Sequence, residues 1–260
     1  MALFQMQVFS EALGLQTTVN VVIPQRNNGG EIGVTNNSSD TKYKCLYLLH
    51  GLSDDHSIWL RRTSIERYAA DYGICVVMPC GGRSFYTDMK YGEKYYTYIS
   101  KELPALMNEF FHVSDKREDN YIAGLSMGGY GALKIALKNP DRFCAAAGLS
   151  SVADIAGVVG TFRKELIPVF GETLEIPDSE NLLELAKMQN TNSLKPRIYM
   201  GVGTEDFLYE GNAKLRDLFN TLDYDYTYRE SPGVHCWEFW DEYIQYVLDW
   251  MFANQNKSLI

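Results

Sequence analysis

The chain is predicted to adopt an α/β fold, a mainly parallel central sheet flanked by helices, on three observations. Short apolar runs alternate with helical patterns along most of its length, several of those runs are apolar without interruption, and a glycine-flanked serine stands where one of them gives way to a helix. Strand and helix taking turns specifies parallel strands joined by crossovers. An uninterrupted apolar strand is one covered on both faces. The 260 residues suffice for a sizeable core, and no Pro/Ser-rich linker or charge run divides them, so one domain over 1–260 is expected.

Residues 17–23 alternate as a strand, and 25–41, rich in Asn, Gly and Ser, read as a loop, which suits an antiparallel opening. Cys45-Leu46-Tyr47-Leu48-Leu49 is a short covered strand, followed by helical spacing over 58–72. Ile74-Cys75-Val76-Val77-Met78 is a strand that Pro79 ends, 95–111 a helix, 121–125 a strand, and 143–149 the next one. From 150 to 192 the pattern loosens, with Gly157, Gly160, Pro168, Gly171 and Pro177 interrupting short apolar patches. This insertion is either a surface crossover with some helix or a small lid over a site. The sheet resumes at 197–202, a helix spans 213–222, and 224–229 alternates as the last strand. Apolar residues at 237, 240, 243, 244, 247, 248 and 251 make 237–251 an amphipathic helix.

A net charge of -9 argues against nucleic acid or an anionic membrane as partner, since either selects a basic patch. No apolar stretch approaches the ~20 residues that cross a bilayer. Met1-Ala2-Leu3-Phe4-Gln5-Met6 lacks the basic start and apolar core of a secretory signal, which points to the cytoplasm, although a form with its leader removed would read the same. The 5 cysteines, without a Cys-x-x-Cys pair, read as reduced, buried small residues, Cys236 beside His235 included.

Chemistry concentrates at Gly124-Leu125-Ser126-Met127-Gly128, with Asn120-Tyr121-Ile122-Ala123 leading in as strand and Ala132-Leu133-Lys134-Ile135 leading out as helix. A serine on so tight a strand-to-helix turn is held in a strained conformation with its hydroxyl projecting, a nucleophile elbow. The bland reading is a Gly-rich turn with an incidental serine. A serine hydroxyl is a poor nucleophile until a base takes its proton, so a histidine must reach it. Of the four histidines, His50 ends a strand, His56 lies in a polar run and His112 follows a helix. His235 alone sits on a loop after the last strand, where strand carboxyl ends gather.

The third member must be a carboxylate that fixes the imidazole tautomer. Asp206, emerging after 197–202, is the candidate; Glu205 and Asp154 compete for the part, and a helix cap is its alternative role. Serine, acid, then histidine along the chain is the order of the α/β-hydrolase fold. Ester attack also creates an oxyanion, for which two backbone N–H groups are needed. Met127 supplies one candidate, and Leu52, in the loop after 45–49, the other, with Gly51 freeing the turn and His50 orienting it.

Together Tyr47-Leu48-Leu49-His50-Gly51, the elbow through Gly129-Tyr130-Gly131, and Gly203-Thr204-Glu205-Asp206-Phe207-Leu208-Tyr209 resemble the esterase D-like family, nearest to bacterial tributyrin-type esterases. The likeness runs through almost the whole chain, including Trp59-Leu60-Arg61-Arg62-Thr63 and Trp237-Glu238-Phe239-Trp240. It implies serine carboxylesterases of short acyl chains, with relatives that deformylate glutathione thioesters or remove acetyl and feruloyl groups from plant polysaccharides. It also implies a homodimer or homotetramer, and supports Ser126, Asp206 and His235 with the Leu52 and Met127 N–H groups. Where such esterases show Gly-x-His-Glu-Trp, this chain has Gly233-Val234-His235-Cys236-Trp237, a thiol in place of the carboxylate.

The expected activity is therefore hydrolysis of small carboxylic esters through an acyl-Ser126 intermediate, without metal or organic cofactor. Trp59, Phe85, Tyr86, Phe170 and Trp237 are candidate pocket walls, of which two are expected to hold, aromatic side chains being more often core. Activity is expected to fall on acidification near the free-histidine value of ~6.5. The rivals are acyl transfer to an alcohol and a catalytically silent binding module.

Overall fold

The computed structural model describes residues 1–25 and 41–253. Eight strands form one sheet in the order β1-β2-β4-β3-β5-β6-β7-β8. They are β1 (Ala2–Ser10), β2 (Leu15–Ile23), β3 (Cys45–Leu49), β4 (Cys75–Pro79), β5 (Asn120–Leu125), β6 (Ala145–Leu149), β7 (Arg197–Gly203) and β8 (Tyr226–Ser231). β2 runs antiparallel to both its neighbours, and β3 to β8 are parallel. The predicted α/β class with its mainly parallel sheet is what the chain adopts.

The uninterrupted apolar strands are explained by two cores, one on each face. Cys45, Tyr47 and Leu49 of β3 enter one, and Leu46 and Leu48 the other. Helices α1 (Ile58–Arg62), α2 (Ile65–Tyr72) and α9 (Trp237–Phe252) cover the second face. The first is covered by α3 (Tyr95–Thr97) and α4 (Leu103–Phe110), joined through a π-helical turn, and by α5 (Met127–Lys138), α6 (Arg163–Phe170), α7 (Leu182–Gln189) and α8 (Tyr209–Phe219). From β3 to β7 the strands have apolar partners above and below, so alternation there has no solvent face to record.

Local departures have local causes. The helix expected over 58–72 is two, because Thr63 turns extended (φ -136°, ψ 173°). Its hydroxyl donates to the Trp59 carbonyl at 2.6 Å and accepts the Ile65 N–H at 3.1 Å, closing one helix and opening the next. The rod over 95–111 carries the π-helical turn Tyr98–Glu102 just ahead of Pro104, which has no N–H to give. α8 begins four residues earlier than the 213 expected, at Tyr209. β1 had no counterpart in the sequence reading: it is an edge strand whose Leu3, Phe4 and Phe9 stay about half exposed, so its pattern does not separate a buried face. Of the loop predicted over 25–41, residues 26–40 lie outside the described residues.

The 150–192 insertion contains α6, a 3₁₀ turn at Asp178–Glu180, and α7, whose Asn181 cap accepts the Leu183 N–H at 3.0 Å. All 5 cysteines are free; Cys45 and Cys75 are buried as register partners on β3 and β4, but Cys80, Cys144 and Cys236 are only partly buried, contrary to expectation. They sit at strand ends or at a helix cap, where covering is incomplete. Among the described residues no helix is long and apolar enough to cross a membrane.

Candidate active site

Four loops meet at the carboxyl ends of β3, β5, β7 and β8. Ser126 occupies the turn from β5 into α5 with φ 54° and ψ -116°, a left-handed conformation that a side-chain-bearing residue adopts only under constraint. The constraint is visible in its neighbours. A Cβ on Gly128 would stand 2.5 Å from the Leu49 carbonyl oxygen and 2.6 Å from that of His50, so glycine alone lets α5 start against the end of β3. The Ser126 N–H bonds the Leu149 carbonyl at 2.8 Å, fixing the turn to β6.

His235, after β8, places Nε2 3.0 Å from Ser126 Oγ. Its Nδ1 lies 2.9 Å and 3.1 Å from the two carboxylate oxygens of Asp206, after β7. A carboxylate can only accept, so Nδ1 carries the proton and Nε2 is left to accept from the serine hydroxyl. Asp206 is almost wholly buried, and its Oδ1 also accepts the Leu208 N–H at 2.8 Å. The competing carboxylates are engaged elsewhere. Asp154 pairs with Lys214 at 2.8 Å and accepts the Gly157 N–H. Glu205 accepts the Gly233 N–H, a bond that holds its carboxyl below the usual range.

Among the described residues the Leu52 and Met127 N–H groups, the two oxyanion-hole candidates, have no backbone hydrogen-bond partner, and both residues line the cavity with Ser126. Met127 opens α5, so the positive end of that 12-residue helix faces the same point. His50 anchors the Leu52 loop from beneath: its Nε2 accepts the Gly81 N–H at 2.8 Å, and its Nδ1 donates to the Gly51 carbonyl at 2.7 Å. Burial pushes its pKa down to about 4, which keeps the ring neutral in that role.

The cavity in front of Ser126 measures about 570 Å³. Of the five aromatic wall candidates, Phe85 and Trp237 line it; Trp59, Tyr86 and Phe170 do not. Trp59 lies behind Trp237 at 5.2 Å, its indole N–H spent on the Leu49 carbonyl. Tyr86 is fully buried and donates its hydroxyl to the His50 carbonyl at 2.9 Å. Phe170 turns into the core at the end of α6.

In their place stand residues that the sequence reading passed over. Phe207, 61% exposed, lies 4.6 Å from the His235 ring, and Phe162 from the insertion stands 6.4 Å from Phe207. Trp240 packs edge-on to the other side of His235 at 4.8 Å and donates its N–H to Ser150. Adjacency to Asp206 was the available signal for Phe207; Phe162 had none beyond membership of the insertion. The mouth is polar, with Asp54, Arg62, Arg83 and Glu238, and partial burial raises the Asp54 carboxyl above its ordinary range.

Known proteins show what the chain as a whole is similar to. The family described as "Putative esterase" matches residues 10–249. An acetyl esterase of Caldicellulosiruptor saccharolyticus is 33% identical over 96% of this chain and 98% of its own. Among solved structures, the substrate-bound fluorophosphonate-binding serine hydrolase FphF of Staphylococcus aureus superposes with a TM-score of 0.86 at 32% identity, covering 96% of this chain and 98% of that one. The S-formylglutathione hydrolase FrmB of the same organism gives 0.84 at 32% identity with the same coverage.

Proposed function

The chain belongs to the putative esterase family and is a carboxylic ester hydrolase of the serine type, and from that premise we propose that it cleaves short-chain acyl esters through an acyl-Ser126 intermediate. The observation that carries the assignment of roles is the hydrogen-bonded line from Ser126 Oγ through the His235 ring to Asp206. In the proposed sequence, His235 Nε2 takes the hydroxyl proton as Ser126 Oγ attacks the ester carbonyl. Negative charge gathers on the carbonyl oxygen, toward which the Leu52 and Met127 N–H groups are directed, each such donor contributing a few kcal/mol. His235 returns the proton to the departing alcohol oxygen as the C–O bond breaks. Water then enters, loses a proton to the same nitrogen, and releases the acid while Ser126 recovers its hydrogen. Asp206 keeps the ring oriented and balances its transient charge.

We assign the acyl group to the apolar side of the cavity, along Phe162 and Phe207 with Phe85 behind them, and the alcohol to the polar mouth. On this reading segment 150–192, within a single domain, acts as a partial lid by supplying Phe162. A short-chain preference is part of this proposal: the aromatic side chains narrow that side of the cavity, and each methylene in such a pocket is worth ~1–3 kcal/mol of discrimination. A series of p-nitrophenyl esters from acetate to decanoate tests it. The proposal expects kcat/KM to peak at four carbons or fewer; a maximum at eight or more would refute it.

A further inference from the structure

α5 carries a lysine with no access to water. Lys134 is 0% exposed, and each of its three ammonium hydrogens has an acceptor: the Phe85 carbonyl at 3.1 Å, Thr87 Oγ1 at 2.5 Å and Glu180 Oε2 at 2.8 Å. Burial pulls its pKa down to about 8, against the pull of Glu180, so it is still mostly protonated at neutral pH. Glu180, from the 150–192 insertion, is also held by Lys138 at 2.6 Å, and its backbone carbonyl accepts the Tyr130 hydroxyl.

What Lys134 grips is an unusual turn. Phe85 and Tyr86 are consecutive non-glycine residues with φ of 49° and 50°, a pair that relaxes unless neighbours hold it. The Ser84 hydroxyl holds the near side, donating to Gly81 and accepting the Tyr86 N–H. Lys134 and Thr87 hold the far side, both donating to the Phe85 carbonyl. Held so, Phe85, itself 0% exposed, backs the cavity, its ring 6.5 Å from that of Phe162 and 6.2 Å from that of Tyr130. A buried ammonium is a poor way to stabilise a core, where an apolar side chain of similar volume does as well or better. Its use here is directional: the long stem carries a charged donor to the carbonyl behind the wall, beside the Thr87 hydroxyl.

We infer that Lys134 is a positioning residue for acyl selectivity: it fixes the strained Phe85–Tyr86 turn, and through it the Phe85 wall, with Glu180 keeping its ammonium in place. The inference rests on the Ser126 chemistry proposed above. Lys134→Met removes the grip while preserving length, and the wall retreats, favouring longer acyl chains. Lys138→Met removes an equal charge from the outer side of Glu180 without touching the turn.

The readout is the ratio of kcat/KM for p-nitrophenyl hexanoate to that for the acetate, which does not depend on the fraction of active enzyme. Lys134→Met is expected to raise this ratio by about tenfold, mainly through KM, and Lys138→Met to leave it within about twofold. Should Lys134→Met not fold, Thr87→Val, which removes the hydroxyl bridging Lys134 and the Phe85 carbonyl, is expected to move the ratio in the same direction by about threefold. An unchanged ratio in the folded variant, or an equal change in Lys138→Met, overturns the inference. Parallel assays of Ser126→Ala separate the two levels: hydrolysis that survives it defeats the nucleophile assignment, whereas an unchanged ratio with Ser126-dependent turnover defeats the role of Lys134 alone.

Discussion

The carboxylate of Glu205 accepts the N–H of Gly233 at 2.5 Å, tying the loop that ends β7 to the loop that carries His235. Its neighbour Asp206 meets the histidine ring itself. Two adjacent carboxylates thus divide the work, one on the backbone of the loop and one on its imidazole. Asp206→Asn offers Nδ1 an amide that can donate, favours the wrong tautomer, and is expected to lower kcat by about 10³- to 10⁴-fold. Glu205→Ala only loosens the loop, and a loss on the order of tenfold is expected. Steady-state kinetics of both variants decide it; the reverse ranking would make Glu205 the acid partner.

Gly128 is expected to tolerate no side chain. In an exposed helix a Gly-to-Ala change gains about 0.5–1 kcal/mol. Here the new methyl would meet the Leu49 and His50 carbonyl oxygens at 2.5 and 2.6 Å, and both belong to backbone that the sheet fixes. Gly128→Ala should therefore destabilise by about 2 kcal/mol or more, read from the urea midpoint, and displace Ser126 enough to lower kcat. A stabilised, fully active variant would contradict the packing described.

His50 gives the fold a specific acid sensitivity. Its folded pKa is about 4, below the unfolded value of ~6.5, because burial disfavours the charged ring. Between these values the unfolded chain binds more protons, so stability rises with pH there and is lost as pH falls from ~6.5 toward 4, by up to about 3 kcal/mol. His50→Gln, with nothing to protonate, should be less stable at pH 7 but show a flatter profile over that window. Urea titrations at several pH values check it, and equal slopes for the two proteins would reject the role.

The parallel core was legible because it obeys a simple rule. β3 to β7 are covered on both faces, and the strands expected there and at β8 lie within two residues of the observed ones. The Ser126, Asp206 and His235 positions were legible for a related reason: in this topology a residue that ends a strand emerges at a known rim. What failed depended on individual hydrogen bonds. Whether Trp59 or Tyr86 lines a cavity is decided by which carbonyl its polar tip finds, Leu49 for one and His50 for the other. Thr63 broke a helix with its own hydroxyl, and β1 stayed hidden because an edge strand with exposed Leu3 and Phe9 carries no clean alternation. Phe162 and Phe207 come from loops, where spacing predicts nothing about direction.

The most direct test is to trap the covalent intermediate. The protein would be mixed with p-nitrophenyl butyrate, quenched in acid within the first turnover, digested, and mapped by mass spectrometry. The account predicts a butyryl group on Ser126, with a burst of p-nitrophenol equal to the enzyme concentration, and neither in Ser126→Ala. Acylation at another residue, or undiminished turnover by Ser126→Ala, would contradict it.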